Sequence, residues 1–173
     1  MWGQMARIFG EFMPNSTGDL DRFDAKILDV LAVDGRISVT ALAERIGLSK
    51  SPTQARLRKL ESDGVIRGYR ALFDPIALGR DHVSFVEVKL SDTREAALRA
   101  FNDAVLAIPQ IEQCHMIAGS YDYLLKVRTQ GMTDYRAVLA SFISTLPNVS
   151  GTSTYVAMQA VKEEGVSPVP PSS

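Results

Sequence analysis

Residues 82 to 156 run through one pattern twice, and that duplication limits the possible folds more than any other feature of the chain. HVSFVEVKL (82–90) alternates as a half-buried strand does, and a helical stripe of Ala97, Leu98, Phe101, Ala104, Val105 and Ile108 follows, ended by Pro109. IEQCHMIAG then reads as a strand. The cycle restarts with YDYLLKVRT, continues as a helix carrying Val138, Leu139, Phe142, Ile143 and Leu146 up to Pro147, and closes on the strand VSGTSTYVAM. AIPQIE and TLPNVS mark the same helix-to-strand corner 38 residues apart, and Val86 and Leu124 of the two leading strands share that offset. Two copies are too few to stack as a solenoid. They suit a closed β-α-β-β-α-β arrangement, ferredoxin-like, with both helices on one face of a four-stranded sheet.

Upstream the period is helical. Asp21 offers an N-cap with Asp24 in the first turn, and Phe23, Ile27, Val30 and Leu31 recur at helical spacing until Gly35. Ser38 can cap a second helix, whose stripe of Val39, Leu42, Ala43 and Ile46 stops at Gly47. After a turn through Leu48, Ser49 and Lys50, the run Ser51-Pro52-Thr53-Gln54 combines an N-cap serine, a proline at the first helical position and a glutamine placed to close a capping box. The third helix so predicted spans Pro52 to Asp63, turns Leu57 and Leu60 inward, and is stopped by Gly64 before Val65-Ile66. Two short helices joined by a tight turn, the second polar and basic outside, form a helix-turn-helix by pattern.

The fold class expected is therefore α+β: a three-helix, winged-helix-like DNA-binding domain over 19–66, a hinge over 67–80, and the duplicated β-α-β-β-α-β domain over 81–163. Residues 1–18, ending in the turn formers PNSTG, read as a mobile extension, and 164–173 as a flexible Pro- and Ser-rich tail.

Charge follows the same division. The formal net charge is only −1, yet Gly47 to Tyr69 holds five basic residues against two acidic ones. Asp19 to Arg70 carries ten Lys/Arg against eight Asp/Glu, and Ala71 to Ser173 carries eight against eleven. Such an imbalance suits a polyanionic partner for the first domain, namely double-stranded DNA. Lys50, Ser51, Thr53 and Gln54 sit at the end of the recognition helix that enters a major groove, where base edges are read, and Arg58 and Lys59 are placed for phosphates. Gln54 has a competing role in the capping box, and Arg56 has either DNA or a neighbouring acid as partner. The bland alternative, a solvated basic face, does not account for the preceding short helix, the tight turn and the cap signals arriving together.

Other function classes find little support. No apolar run approaches the roughly 18 residues that cross a bilayer, and MWGQMARIFGEFMP lacks a signal-peptide core, so a soluble protein without a membrane partner is expected. Cys114 is the single cysteine, which fits a reducing cytoplasm. Cys114 and His115 are strand neighbours pointing to opposite faces, and His82 reads as structural. With no phosphate loop, metal signature or nucleophile elbow, neither an enzyme nor a cofactor is expected.

The segments LDRFDAKIL, RISVTALAERIGLSKSPTQARLRKLESDGVI and AGSYDYLLKV together resemble the Lrp/AsnC (feast/famine) transcription regulators, over about Leu20 to Glu163. The resemblance implies an amino-terminal DNA-binding domain and a carboxy-terminal domain that dimerises, assembles further into tetramers or octamers, and senses a small molecule, usually an amino acid. LSDTREAAL with IEQCHMIAG looks most like the activators of proline catabolism, which implies proline as effector and amino-acid metabolism genes as targets. The effector residues would be Gly119, Ser120, Tyr121 and Asp122, with Thr152 and Thr154 at family positions near the ligand. Backbone N–H groups at 119–121 can bind a carboxylate and Asp122 an ammonium, although a plain hairpin turn accounts for the same residues. Ser120 stands where many relatives carry a second glycine. A rival reading, an amino-acid-sensing regulatory subunit of a metabolic enzyme with the helices as a docking module, calls for an apolar outer helix face instead of this basic one.

Overall fold

The computed structural model describes residues 20–163, so the expected extension 1–18 and tail 164–173 lie outside the described residues. The chain divides between Arg70 and Ala71 into two compact units.

Among the described residues the first unit holds three helices, α1 (Arg22–Val33), α2 (Val39–Ile46) and α3 (Lys50–Ser62). Asp21 caps α1, accepting from the Phe23 and Asp24 N–H groups while the Asp24 carboxylate returns to the Asp21 N–H, a complete capping box. Ser38 caps α2 through Ala41 N–H, and Gly47 ends it at φ 76°, a left-handed conformation that costs glycine nothing. Ile27, Leu42, Ile46 and Leu60, one or two from each helix, make the core, with Leu28, Val30, Leu31 and Leu57 packed around it.

The start of α3 differs from the sequence expectation. Ser49, not Ser51, is the N-cap and makes no side-chain cap bond, so the predicted capping box through Gln54 does not form. Pro52 falls at the third helical position, still inside the first turn, where its missing N–H has no intrahelical acceptor to lose. Gln54 lies too far along the helix to reach back to the cap.

In the second unit β1 (His82–Leu90), α4 (Glu95–Leu106), β2 (Ile111–Met116), β3 (Tyr123–Thr129), α5 (Met132–Ser141) and β4 (Val149–Val156) follow in that order. The sheet runs β2-β3-β1-β4 with every pair antiparallel, the ferredoxin-like arrangement. Val86, Val88 and Leu90 of β1 and Tyr123, Leu125 and Val127 of β3 face Phe101 and Val105 of α4 and Tyr135 and Val138 of α5 in one core. Both helices therefore cover one face. The other carries Phe85, Glu87, Leu124, Lys126 and Tyr155, and on it Phe85 is 37% and Tyr155 54% exposed.

The 38-residue repeat holds in the helices but not in the leading strands. Ala97 and Tyr135, Val105 and Ile143, and Ile108 and Leu146 are matching buried pairs. Val86 is buried against the helices whereas Leu124 points to the open face; its β1 partner across the ladder is Glu87. An offset that is off by one residue inverts every side chain of a strand. α5 also ends earlier than Pro147: the helix breaks at Phe142, and a 3-10 turn, Ile143–Thr145, carries Ile143 and Leu146 back to the core.

Candidate nucleic-acid interface and effector site

On α3, Thr53, Arg56, Leu57 and Leu60 recur at i, i+3, i+4 and i+7 and share one flank. Thr53 and Leu60 are buried there. Lys50, Ser51, Ala55, Arg58, Lys59 and Ser62 are exposed, and Gln54 is half-buried at the border. Five of the seven residues expected at DNA thus occur together on an accessible polar surface or its edge. The other two are engaged internally. Thr53 is fully buried and donates its hydroxyl to the Ser49 carbonyl at 2.9 Å, which fixes the helix start but withdraws it from any base edge. Arg56 Nη1 lies 2.7 Å from Asp21 Oδ2 and 2.8 Å from Asp24 Oδ1, the neighbouring-acid alternative. The Asp24 N–H foremost, with the Phe23 N–H and the Arg56 guanidinium, holds the Asp21 carboxyl below its ordinary range.

The expected effector turn joins β2 to β3. Gly119 and Ser120 are exposed, Tyr121 and Asp122 half-buried. Asp122 closes the turn through its backbone, accepting from Ile117 N–H and donating to Val88 carbonyl, both at 2.9 Å. Its carboxylate is already in use: Oδ2 accepts from Leu90 N–H at 2.8 Å and Oδ1 from Lys89 Nζ at 3.2 Å. Thr152 and Thr154 lie across β1, opposite Val88 and Val86, and the Thr154 hydroxyl is 2.5 Å from the Tyr135 hydroxyl. Two strand spacings, about 10 Å, separate β4 from β3. One chain therefore does not gather the two threonines and the turn around a single small molecule.

A charge cluster on the open sheet face escaped the sequence reading. Arg128, 1% exposed, gives Nε to Glu112 at 2.6 Å, Nη1 to the Arg80 carbonyl at 2.9 Å and Nη2 to Glu163. Lys126 bridges the same two glutamates. Alternation along YLLKVRT puts Lys126 and Arg128 on one face, so half of the cluster was visible; Glu163, beyond the last strand, was not. An open groove of about 590 Å³ lies along α5, lined by Thr133, Arg136, Ala137, Leu139, Ala140 and Ser144, and none of the expected effector residues borders it. Among the described residues no group of three or more His, Cys, Asp or Glu is placed to hold a metal ion. None of the described helices is long and apolar enough to cross a membrane. Cys114 packs on the core, where burial pushes its thiol up to about 11.

A helix-turn-helix unit with an exposed basic recognition helix, followed by a ferredoxin-like unit, defines a DNA-binding regulator with a separate second domain. Residues 20–67 match the family described as winged helix-turn-helix DNA-binding, and residues 83–167 match the Lrp/AsnC ligand binding domain. The chain is 58% identical over 156 residues to a proline dehydrogenase transcriptional activator of Rhizobium radiobacter, covering 89% of this chain and 100% of that protein. It is 52% identical over 145 residues to the protein of the same name from Rhodobacter capsulatus, covering 84% and 94%. Among solved structures, a transcriptional regulator of Neisseria meningitidis in complex with L-Met superposes with a TM-score of 0.77 at 29% identity, covering 86% of this chain and 96% of that one. The chain belongs to the Lrp/AsnC family and is a DNA-binding transcription regulator, not an enzyme. The reading as a regulatory subunit of a metabolic enzyme is set aside.

Proposed function

We propose that two chains pair through their second units, present two α3 helices to a pseudo-palindromic operator, and change their assembly when a free amino acid binds. The carrying observation is the accessible surface of α3, where Lys50, Ser51, Arg58 and Lys59 are exposed together with Gln54 at the edge. In this reading Lys50, Ser51 and Gln54 face base edges, Arg58 and Lys59 neutralise phosphates, and Thr53 supports the helix start from beneath. The open sheet face, with Phe85, Leu124 and Tyr155, is the surface that pairing covers, since a sheet with both helices on one side leaves its other side exposed. Tetramers or octamers are built from such dimers, and the protein works in the cytoplasm, where its DNA is.

The effector is an amino acid held at the turn 119–122. Backbone N–H groups at Gly119 to Tyr121 suit its carboxylate, and an ionised Asp122, with about four lone-pair sites of which two are occupied, has acceptor capacity for its ammonium. Thr152 and Thr154 would reach the same ligand only from another subunit. Proline is the first effector to test and genes of proline breakdown the first targets, because two relatives carry the name proline dehydrogenase transcriptional activator; the Neisseria meningitidis complex with L-Met supports an amino acid as the class. A footprint on the protein's own upstream region and its neighbours, with and without each amino acid, tests the whole reading. Two protected half-sites about one helical turn apart are expected. Protection at no sequence refutes it.

A further inference from the structure

Arg56 lies on the recognition helix between Gln54 and Arg58 but on the opposite flank. There it meets a pair of carboxylates that divide their oxygens between two tasks. Asp21 Oδ1 accepts from the Phe23 and Asp24 N–H groups at 2.7 and 3.0 Å, and Asp24 Oδ2 accepts from the Asp21 N–H at 3.3 Å. The other oxygen of each, Asp21 Oδ2 and Asp24 Oδ1, meets Arg56 Nη1 at 2.7 and 2.8 Å. The guanidinium also stands 5.6 Å from the centre of the Phe23 ring. Three groups from the capped start of α1 thus converge on one side chain of α3. We propose that Arg56 is a positioning residue of the DNA-binding unit, pinning the roll of the recognition helix against the capped end of α1, and that it makes no contact with DNA.

The argument is one of direction. Leu57 and Leu60 attach α3 to the core by apolar contact, which sets distance but not orientation, and the Tyr69 hydroxyl reaches Glu61 only at the far end of the helix, at 3.0 Å. Two hydrogen-bonded carboxylates, themselves fixed by the cap, supply the orientation. Ion pairs open to solvent are screened and add little to folding stability, so removing this one leaves the unit folded. Its effect on recognition is larger, because a rotated helix carries Ser51, Gln54 and Arg58 away from their targets together.

The proposal rests on the DNA-binding reading, and the experiment separates the two. Full-length protein, Arg56→Gln and the double variant Asp21→Asn/Asp24→Asn are titrated with the footprinted site and with a scrambled duplex over a range of salt, after melting curves confirm folded proteins. Asparagine remains a good N-cap, so the double variant keeps the start of α1 while freeing the arginine and removing two negative charges. Pinning predicts that both variants lose about tenfold in preference for the site, the order of one bidentate base contact, with scrambled-duplex affinity nearly unchanged for Arg56→Gln. The salt slope of Arg56→Gln stays at the parent value. A direct phosphate contact predicts the reverse: Arg56→Gln weakens binding to both duplexes and lowers the slope by about 0.9, while the double variant binds all DNA more tightly with its preference intact. Either of those results, or no change at the site, overturns the proposal. A parent that binds neither duplex overturns the DNA-binding reading itself, and the proposal with it.

Discussion

Replacing Arg58 and Lys59 together by Ala isolates the electrostatic part of DNA binding. Both side chains are exposed on α3, neither belongs to the core, and the bonds to the Lys59 carbonyl, from the Asp63 N–H at 2.8 Å and Ser62 Oγ at 3.0 Å, use backbone that alanine retains. Alanine is also the best helix former, so stability should stay within about 0.5 kcal/mol of the parent. Each lost phosphate contact lowers the slope of log affinity against log salt by about 0.9, and two contacts lower it by about 1.8. A fourfold rise in salt, from about 50 to about 200 mM, then shrinks the affinity gap between parent and variant by roughly 12-fold, since four raised to 1.8 is about 12. Fluorescence anisotropy of a labelled duplex at several salt concentrations reads this directly, and a scrambled duplex should show the same convergence because phosphates carry no sequence. Parallel lines with a constant offset would mean that the two cations act through something other than phosphate. Coincident lines would remove them from the interface altogether.

Three further outcomes are expected. A fragment beginning at Ala71, which holds a complete core of its own, should sediment as a dimer at micromolar concentration, and a monodisperse monomer would leave the open sheet face unexplained. Asp122→Asn keeps an acceptor for Leu90 N–H but loses the charge; calorimetry should show no amino-acid binding, while effector-free operator affinity stays within a few-fold of the parent because α3 belongs to the other unit. For Glu163, burial by itself would raise the carboxyl, but hydrogen bonds and charge from Lys126 and Arg128 outweigh it and bring it below 4.5. A depressed folded value means that the ion pairs stabilise above the ordinary value and are lost as pH falls through the folded one. The melting temperatures of parent and Glu163→Gln should accordingly differ near neutrality and converge below about pH 4.5, and a gap that widens on acidification would contradict the sign.

Much of the fold was legible because its signals are local. Alternation over 82–90, the stripes around Phe101 and Val138, and the caps at Asp21 and Ser38 each need only a few adjacent residues. What failed involved choices between neighbouring registers. Ser49 and Ser51 are both plausible caps, and the earlier one goes with a Thr53 buried beneath the helix, a burial that depends on tertiary packing. The two leading strands look alike at an offset of 38, but a ladder that sets Val86 beside Leu125 exposes the next residue, and no local composition reports that one-residue difference.

The candidate sites were harder for a related reason. Spacing assigns a polar residue to a face, but whether it is available to a ligand depends on partners that spacing does not show. Arg56 meets Asp24 from 32 positions away, and Asp122 meets the Leu90 N–H from the same separation. A basic residue on a recognition helix and an acid in a turn are attractive as ligand contacts because each is an uncompensated charge in the sequence; in the folded chain each has been given a counterpart. Lys50, Ser51, Arg58 and Lys59 are the stronger candidates for DNA because the fold leaves them exposed. By the same criterion Asp122 holds β1 to the turn, so that in the proposed reading a ligand drawing on its carboxylate competes with Lys89 and Leu90 and is felt along β1, an inner strand that contacts both β3 and β4.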